Sequence, residues 1–211
     1  MTHPSDIFET HYHDYCQRLS TVDLAARADR LGLILEDEGA RLPFFNRWFH
    51  ISATGIVDAR GETPGYIDSV ILAKYILECP PQAIEDPAWC AFRDFKHRAA
   101  MTNANYFNTD TVQKLTTHFS GQLTALESAC RELNGKPEPL DAGQDLAVAI
   151  DALPRLRLLL LFTDGDDEFP ASGRILFQGQ AEHYLDPESL AMTSARLIQK
   201  LIQCQTREVT P

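Results

Sequence analysis

The sequence lacks an excess of positive charge. Its 211 residues carry 19 Lys and Arg against 30 Asp and Glu, which gives a formal net charge of -11 at pH 7. Proteins that bind nucleic acid or anionic lipid present a basic surface, because much of their affinity comes from neutralising phosphates. The composition therefore argues against nucleic acid and favours a small molecule or another protein as the partner of this acidic chain.

Long hydrophobic runs are also missing. No segment approaches the roughly 20 apolar residues of a membrane span, and the N-terminus has no basic stretch followed by an apolar core. The cysteines are odd in number, widely spread and without a CxxC pair: Cys16, Cys79, Cys90, Cys130 and Cys204. This pattern predicts reduced, packed thiols instead of disulfides or a zinc ribbon. Together these absences predict a cytoplasmic protein that does not contact the membrane.

The common motifs of enzyme chemistry are absent. The sequence contains no GxGxxG, Walker A, HExxH or GxSxG pattern. Each of these places a specific loop, nucleophile or metal ligand, so their absence removes the signals for dinucleotide, NTP, zinc-peptidase and serine-hydrolase chemistry. The motifs thus name neither a reaction nor a cofactor.

The first half of the chain predicts helices followed by short strands. Two helices form an N-terminal layer at about residues 5–31, the second beginning at Thr21 as N-cap and ending at Gly32. Four pieces rich in branched and aromatic residues follow, LILED, ARLPFF, RWFHIS and GIVDA, and they predict an antiparallel meander. Residues 66–77 are apolar nearly all round, which predicts a central buried helix.

The second half predicts one long helix, three strands and a last helix. Apolar residues spaced by threes and fours indicate a helix over 112–133 that ends at Asn134-Gly135. Strands are predicted at 146–150, 158–163 and 175–177, and a helix opens with Asp186 as N-cap before Pro187. Hairpin spacing without βαβ units predicts an α+β fold, in which an antiparallel or mixed sheet carries packed helices in a single domain over 1–211.

An aliphatic run that stops in carboxylates is the most distinctive local feature. RLRLLLLFTDGDDEFP predicts a buried strand that delivers an acidic turn. Oxygen-rich sites suit Mg²⁺ or Ca²⁺, so the turn offers a metal site made of Asp164, Asp166, Asp167 and Glu168. An EF-hand is excluded, because its sixth and twelfth positions, counted from Asp164, are Phe169 and Ile175. A hydrated hairpin turn remains the alternative.

The same turn suggests an inward carboxylate. Glu168 precedes Phe169-Pro170, and we expect it to turn towards Arg155 or Arg157, since a buried carboxylate needs a partner.

An aromatic group suggests a ligand pocket. Residues 80–108 read as a long loop, and such loops are often functional. The aromatic residues that would line the pocket are Phe44, Phe45, Trp48, Phe49, Trp89, Phe92, Tyr106 and Phe107. The predicted ligand-binding set is Trp48, His50, Trp89, Arg93, Asn105, Tyr106, Arg155, Arg157 and Glu168. Apolar walls with a few polar atoms are typical of ligand sites, although large aromatics also simply fill cores.

Two further groups of residues are candidate sites that also have a simpler structural explanation. Glu9, His13 and Cys16 share one face of the first helix and could present three metal ligands, or belong to an amphipathic surface helix. His183 with Asp186 or Glu188 could act as a general base and its orienting carboxylate. Capping of the last helix explains the same two carboxylates.

The order of several short blocks resembles a known family. The blocks are an apolar helix at 70–77, WxxFRDF at 89–95, Tyr106-Phe107, Leu153-Pro154-Arg155, GDDEFP, ILF and HYLDPESLA. They resemble an uncharacterised domain family of bacteria and archaea, a domain of unknown function, over roughly residues 29–201. The resemblance implies a fold but no activity. Some relatives are joined to a cysteine-rich iron–sulfur module, which implies redox or corrinoid chemistry nearby, but this chain has no four-cysteine cluster.

Three functional hypotheses follow from the sequence. The leading one is a cytoplasmic accessory domain that binds a small ligand or a protein partner in an aromatic-lined pocket. The alternative is a metal-dependent hydrolase or transferase that uses the acidic 164–168 turn, with His183 as base. The third is a homo-oligomerisation unit that pairs through the 112–133 helix.

Overall fold

The secondary structure interleaves helices with two groups of strands. The computed structural model describes residues 4–95, 108–139 and 143–208. Its α-helices are α1 (Pro4–Leu19), α2 (Leu24–Leu31), α3 (Tyr66–Leu77), α4 (Lys114–Phe119), α5 (Leu123–Glu132) and α6 (Pro187–Glu208). A π-helical turn (Asn108–Gln113) precedes α4, and two 3-10 helices cover Phe92–Asp94 and Gly179–His183.

The strands form two antiparallel sheets. They are β1 (Ile34–Glu36), β2 (Gly39–Phe44), β3 (Arg47–Ser52), β4 (Gly55–Asp58), β5 (Trp89–Ala91), β6 (Lys136–Pro137), β7 (Leu146–Leu153), β8 (Leu156–Thr163) and β9 (Ser172–Gln178). The first sheet has the order β1-β2-β3-β4 and the second the order β5-β9-β8-β7-β6. The α+β class and the meander are therefore confirmed, with two antiparallel sheets in the domain.

The aliphatic run is the central strand of the second sheet. β8 pairs with β7 on one side and β9 on the other, and residues 158–162 are all buried. A strand that is covered on both faces reads as a continuous apolar run. The predicted buried strand is confirmed. Two short strands were not predicted. Trp89–Ala91 pairs with β9 inside the region predicted to be a loop, and Lys136–Pro137 pairs with β7 just after the predicted end of the 112–133 helix.

The start of α2 differs from the prediction. Thr21 does not cap it, because its hydroxyl donates to the carbonyl of Arg18 (2.8 Å) at the end of α1. Asp23 is the N-cap, and its carboxylate accepts the backbone N–H of Ala26 at 2.9 Å. The stop at Gly32 is confirmed, since this residue has a left-handed φ of 68°. Two cap-type residues two positions apart gave the sequence an ambiguous start.

The predicted 112–133 helix is two helices. The chain breaks after Phe119, and Gly121 takes a left-handed φ of 70°. The backbone N–H of Gly121 donates to the carboxylate of Asp164 at 2.7 Å, so the acidic turn stabilises the break. The apolar spacing persists across the bend because both helices bury the same stripe, which is why the period alone missed it. The predicted end is confirmed, with Asn134 at φ 58°.

Helix α3 lies at the centre of the domain. It packs against α1, α2, β4 and α6, and eight of its twelve residues are buried, as the sequence predicted. Its Tyr75 is fully buried, and the phenol both donates to the carbonyl of Leu31 (2.9 Å) and accepts the backbone N–H of Arg155 (3.1 Å). Burial raises the pKa of this phenol, so it stays protonated and donates. Tyr75 thereby links α2 to the β7–β8 turn.

Replacing Tyr75 by Phe should destabilise the domain. The change leaves a carbonyl and an N–H without their phenol partner, and we expect the free energy of unfolding to fall by about 1–3 kcal/mol. Urea denaturation measures this, with Tyr66→Phe as the control, because Tyr66 begins the same helix and is 47% exposed. Equal losses in the two variants would contradict the role of the Tyr75 hydroxyl.

The two sheets meet where β2 ends. The backbone N–H of Phe45 donates to the carbonyl of Ala152 in β7 at 2.7 Å, and β2 lies against β7. The five cysteines all lie in the described part of the chain and form no disulfide. No helix in the described ranges has the length and apolar character that a membrane crossing requires.

Candidate functional site

The predicted aromatic pocket does not form from the residues that the structure describes. Asn105, Tyr106 and Phe107 lie outside the described residues. Trp48 and Trp89 belong to different sheets, in β3 and β5. Four of the remaining rings are buried in the core: Phe44, Phe45, Phe49 and Phe92. The structure thus gives a packing role to four of the six aromatic residues of this group that it describes.

The predicted polar groups of that pocket lie at the surface. His50 Nδ1 is 3.0 Å from a carboxylate oxygen of Glu36, and Arg41 contacts the other oxygen at 2.6 Å. Arg41 also lies over the Trp48 ring, 5.3 Å from its centroid. These side chains form a polar network around Glu36 on the meander. Arg93 stands apart, with its side chain 89% exposed.

Arg155 and Arg157 line a cavity of about 240 Å³. The Arg155 guanidinium donates to the carbonyls of Arg30 (3.2 Å) and Asp29 (2.7 Å) and pairs with Glu85 (3.2 Å). Arg157 Nε donates to Asp151 at 2.5 Å. Both guanidinium groups are engaged by the protein itself, which indicates that they fasten the β7–β8 turn.

The acidic turn uses two of its carboxylates as backbone acceptors. One oxygen of Asp166 accepts the N–H groups of Glu168 (2.9 Å) and Phe169 (2.7 Å), and these bonds hold the pKa of that carboxyl below its usual range. Asp164 accepts from Gly121 and Gly165. The inward orientation expected for Glu168 is wrong, since its side chain is exposed and both arginines pair elsewhere. Residues 165–170 of the turn are exposed.

The described residues assemble neither of the two predicted metal sites, the one on α1 and the one in the acidic turn. In the ranges that the structure describes, no three His, Cys, Asp or Glu side chains come together as a metal-binding group. The side chain of Glu9 lies outside those ranges. On the described part of α1, the Tyr12 hydroxyl donates to the carbonyl of Ile56 and accepts its N–H, each at 3.0 Å. This face of α1 therefore packs on β4.

His183 does not share a carboxylate with α6. Asp186 accepts the N–H of Ser189 at 2.9 Å and pairs with Lys74 at 2.6 Å. The predicted N-cap is thus confirmed, and the cap is also a link to α3. Glu188 is exposed on the first turn. His183 is exposed and is one of the residues that line a cavity of about 350 Å³.

A further cavity lies in a place that the sequence did not indicate. It has a volume of about 650 Å³, within the range of roughly 300–1,000 Å³ that is usual for ligand sites. Its walls are residues 46–48 of the β2–β3 hairpin, the end of β4 with the loop after it, Glu132 and Leu133 at the end of α5, and α6 from Arg196 to Cys204. We call it the α6 cleft. Of the predicted ligand-binding residues that the structure describes, Trp48 alone lines it.

Lys200 is the unusual residue of the α6 cleft. Its side chain is buried, with 6% of the residue exposed, yet it has no carboxylate or hydrogen-bond partner among the described residues. Among the described residues, Thr111 Oγ1 is the one polar side-chain atom that is both fully buried and without a hydrogen bond. Lys200 Nζ also lacks a hydrogen bond in those ranges, so it is not fully buried and keeps some accessible surface. Desolvation, reinforced by Arg196 and Arg47, lowers the pKa of Lys200 to about 8.

Two phenylalanine rings lie beneath this ammonium. Lys200 Nζ is 5.4 Å from the ring centroid of Phe45 and 6.0 Å from that of Phe44. Aromatic faces attract cations, and the contact is stronger when the cation is desolvated. This attraction partly offsets the free-energy cost of burying a charge that lacks a counterion.

The backbone of Phe45 is strained where its ring lies beneath the ammonium. It follows β2 with a left-handed φ of 54°, in a two-residue connection where glycine is the usual residue. This conformation costs a bulky L-residue about 1–2 kcal/mol. The neighbouring Asn46 donates to the carbonyl of Glu132 at 3.1 Å, which ties the hairpin to α5. Strain of this kind is maintained by the surrounding structure and is typical of functional sites.

The other cations of the cleft have partners, with one exception. Arg196 makes a bidentate ion pair with buried Asp68 (2.7 and 2.8 Å), which joins α6 to α3. Arg47 pairs with Asp58 at 2.9 Å, and the backbone N–H of Arg60 keeps the pKa of that carboxyl below its usual range. The side chain of Arg60 is exposed and has no ion pair within the described residues. Lys200 and Arg60 are therefore the cations available to a ligand.

The helical spacing of α6 contains a signal for Lys200. It lies three residues after Leu197 and four before Cys204, and both of these are buried. Residues three and four apart share a helix face, so the apolar stripe itself places this lysine on the buried side. A lysine within such a stripe is a candidate site residue that periodicity can find.

Comparison with known proteins gives one match. A family model described as Domain of unknown function (DUF3786) matches residues 23–200. No curated protein and no solved structure matches the chain. The matched range includes the whole wall of the α6 cleft up to Lys200.

Proposed function

Because this chain belongs to the DUF3786 family, a domain family of unknown function, its role must be argued from its own residues, and we propose that it binds a small anionic ligand in the α6 cleft. The observation that carries this proposal is the buried ammonium of Lys200, which lines a cleft of about 650 Å³ and has no carboxylate partner among the described residues. The ligand would supply the missing counterion.

The energetics favour an anion over a neutral ligand. A buried charge is costly unless it is paired, and a ligand carboxylate or phosphate would pair with Lys200 inside a partly desolvated cleft. The protein as a whole carries a net charge of -11, so a local cation without a partner is not explained by general surface chemistry. Arg60 at the outer part of the cleft offers a second donor.

The apolar part of the lining favours a ligand with a small apolar portion beside its anionic group. Trp48 and Leu133 are the large apolar side chains of the wall, and the rings of Phe44 and Phe45 lie beneath the ammonium. Three carboxylates also line the cleft and repel an anion placed away from Lys200: Asp58, Glu62 and Glu132. A small organic carboxylate whose charge lies at Lys200 fits these features better than a multiply charged inorganic ion.

Anion binding should depend on Lys200 and on pH. We expect acetate and inorganic phosphate to shift the ¹³Cε resonance of Lys200, and we expect Lys200→Met to lower the affinity measured by calorimetry by roughly tenfold or more. Affinity should fall as pH rises through about 8, because the lysine then loses its proton.

The matched control is Lys136→Met, since Lys136 is an exposed lysine on β6 and lies outside the cleft. This variant should bind as the parent protein does. Equal weakening in both lysine variants would indicate general charge attraction, and an unshifted Lys200 resonance at saturating anion would remove the proposed site.

The cellular setting belongs to the same proposal. Five cysteines without a disulfide suit a reducing compartment, so we place the protein in the cytoplasm. We propose a small molecule as partner, with neither nucleic acid nor membrane, and this rests on the acidic composition.

A further inference from the structure

We propose that Lys200 forms a reversible imine with a small carbonyl compound that carries an anionic group, an α-keto acid being the simplest member of that class. This inference rests on the proposed anion site and goes beyond it, because it assigns a covalent role to the amine. The sequence contains no nucleophile in a recognised motif, so the assignment depends on the placement of Lys200 alone.

The first support is that the amine is accessible and unengaged. Lys200 lines the α6 cleft, and no described carboxylate lies within ion-pair distance of its Nζ. By contrast, the partly buried Lys74 on α3 is 2.6 Å from Asp186. A carboxylate partner keeps an amine protonated, and protonated nitrogen has no lone pair for attack. Lys200 therefore differs from Lys74 in the property that covalent chemistry requires.

The second support is that the amine is firmly positioned. Its helix is fixed to α3 by the bidentate Arg196–Asp68 pair one turn earlier. Beneath Nζ lie the rings of Phe45 and Phe44, and the former is held by a left-handed backbone and by its N–H bond to Ala152. A nucleophile held in one place gains rate from orientation.

The third support is the electrostatic setting. Burial favours the neutral amine, and with the neighbouring cations Arg196 and Arg47 it outweighs the Asp68 carboxylate, which favours the ammonium. Desolvation and nearby cations are among the ways in which lysine nucleophiles are activated. With its pKa near 8, about 10% of Lys200 is free base at pH 7, against less than about 0.1% for an ordinary lysine.

The reaction balances without an oxidant or a metal. The neutral Nζ attacks the carbonyl carbon, an N–C bond forms as the carbonyl π bond breaks, and one proton passes from the nitrogen to the oxygen to give a neutral carbinolamine. A second proton, equivalent to the one that the ammonium released to water, lets the hydroxyl leave as water and gives a protonated imine. Addition of water reverses the step. The iminium is a buried cation as the ammonium was, so the carboxylate of the ligand is its counterion, with Arg60 available to orient the same group.

Borohydride reduction in the presence of pyruvate tests this inference on the full chain. The hydride converts the imine into a stable secondary amine, and peptide mass spectrometry locates it among the five lysines, at 74, 96, 114, 136 and 200. We expect label at Lys200 to exceed that at exposed Lys136 by at least about tenfold at pH 7.5, and to fall when acetate competes. Equal labelling of the two lysines would overturn the inference.

Lys200→Arg separates this inference from the proposed function. Arginine keeps a positive charge but forms no imine under these conditions, so the variant should bind acetate and give no adduct at residue 200. If the parent protein binds acetate and pyruvate but borohydride leaves Lys200 unmodified, the imine is wrong and the anion site stands. If it binds neither anion and gives no adduct, both proposals fail. Circular dichroism of the variant confirms that it is folded.

Discussion

Lys200→Met should make the protein more stable at pH 7, by about 1–3 kcal/mol in the free energy of unfolding. The reason is that folding lowers the pKa of Lys200 from 10.5 to about 8, so at neutral pH the native state keeps a charge that its surroundings disfavour. Methionine has a similar length and no charge, and it would pack over the rings of Phe44 and Phe45.

The stability that Lys200→Met gains over the parent protein should vanish as the pH rises. Below about pH 8 the lysine is charged in both the folded and the unfolded chain, and the full cost of burial is present. Between about pH 8 and 10.5 the native state releases the proton while the unfolded state still binds it, so the stability of the parent protein rises relative to Lys200→Met. The difference between the two proteins should be close to zero at the upper end of this window.

Urea denaturation of both proteins at pH 7 and pH 10 measures the effect as a difference, in which the titration of other groups cancels. Lys136→Met is the control, because Lys136 is exposed and its replacement should change stability by less than about 0.5 kcal/mol at either pH. A Lys200→Met protein that is less stable than its parent at pH 7 would show that the ammonium supports the fold.

Asp68→Asn should destabilise the protein by about 3–5 kcal/mol. Asp68 is 3% exposed and accepts both arms of the Arg196 guanidinium, at 2.7 and 2.8 Å. An amide cannot balance the charge of Arg196, and one of its two faces presents N–H donors where the guanidinium also donates. The same change removes the carboxylate that raises the pKa of Lys200, so that pKa should fall further.

Asp14→Asn is the matched control. Asp14 pairs with Arg18 at 3.9 Å, and these side chains are 62% and 55% exposed, so solvent screens the interaction. We expect its loss to cost less than about 1 kcal/mol. The double replacement of Asp68 by Leu and Arg196 by Met should be less destabilising than Asp68→Asn, because no uncompensated charge stays buried. Thermal denaturation of all four proteins decides this, and equal effects of Asp68→Asn and Asp14→Asn would refute it.

The α6 cleft combines two features that cost stability. Lys200 is a buried charge without a carboxylate partner in the described residues, and Phe45 is a bulky residue with a left-handed backbone. They touch each other, since the Lys200 ammonium lies over the Phe45 ring. A fold that places both costs at one cleft, while the buried carboxylate of Asp68 is fully paired, is in keeping with a site retained for binding.

The local sequence was sufficient for most of the elements. The meander from Leu33 to Asp58 was readable because β-branched and aromatic residues alternate with turn residues. Helix α3 and strand β8 were readable because complete burial requires continuous apolar side chains. Ambiguity arose where two neighbouring residues offered the same local chemistry, as Thr21 and Asp23 did at the start of α2.

The candidate site was harder to predict than the elements. The aromatic and acidic residues were conspicuous in the sequence, yet Phe44 and Phe49 pack the core and Asp166 supports a turn. Lys200 was inconspicuous, because a single lysine in a helix is usually solvated, and its burial depends on the hairpin at Phe45 and the end of α5.

The sequence by itself determined the fold class, the central strand, the buried helix, the caps at Gly32 and Asp186, and the acidic net charge. These depend on neighbours within a few residues, where the spacing of apolar groups and the geometry of turns decide the outcome. Only the tertiary structure decided that Lys200 lies over Phe45 and lacks a counterion, and that Arg155 and Arg157 are engaged elsewhere. Burial and pairing of a charge are set by residues far apart in the chain, and they appear only when α3, α5, α6 and the meander have packed together.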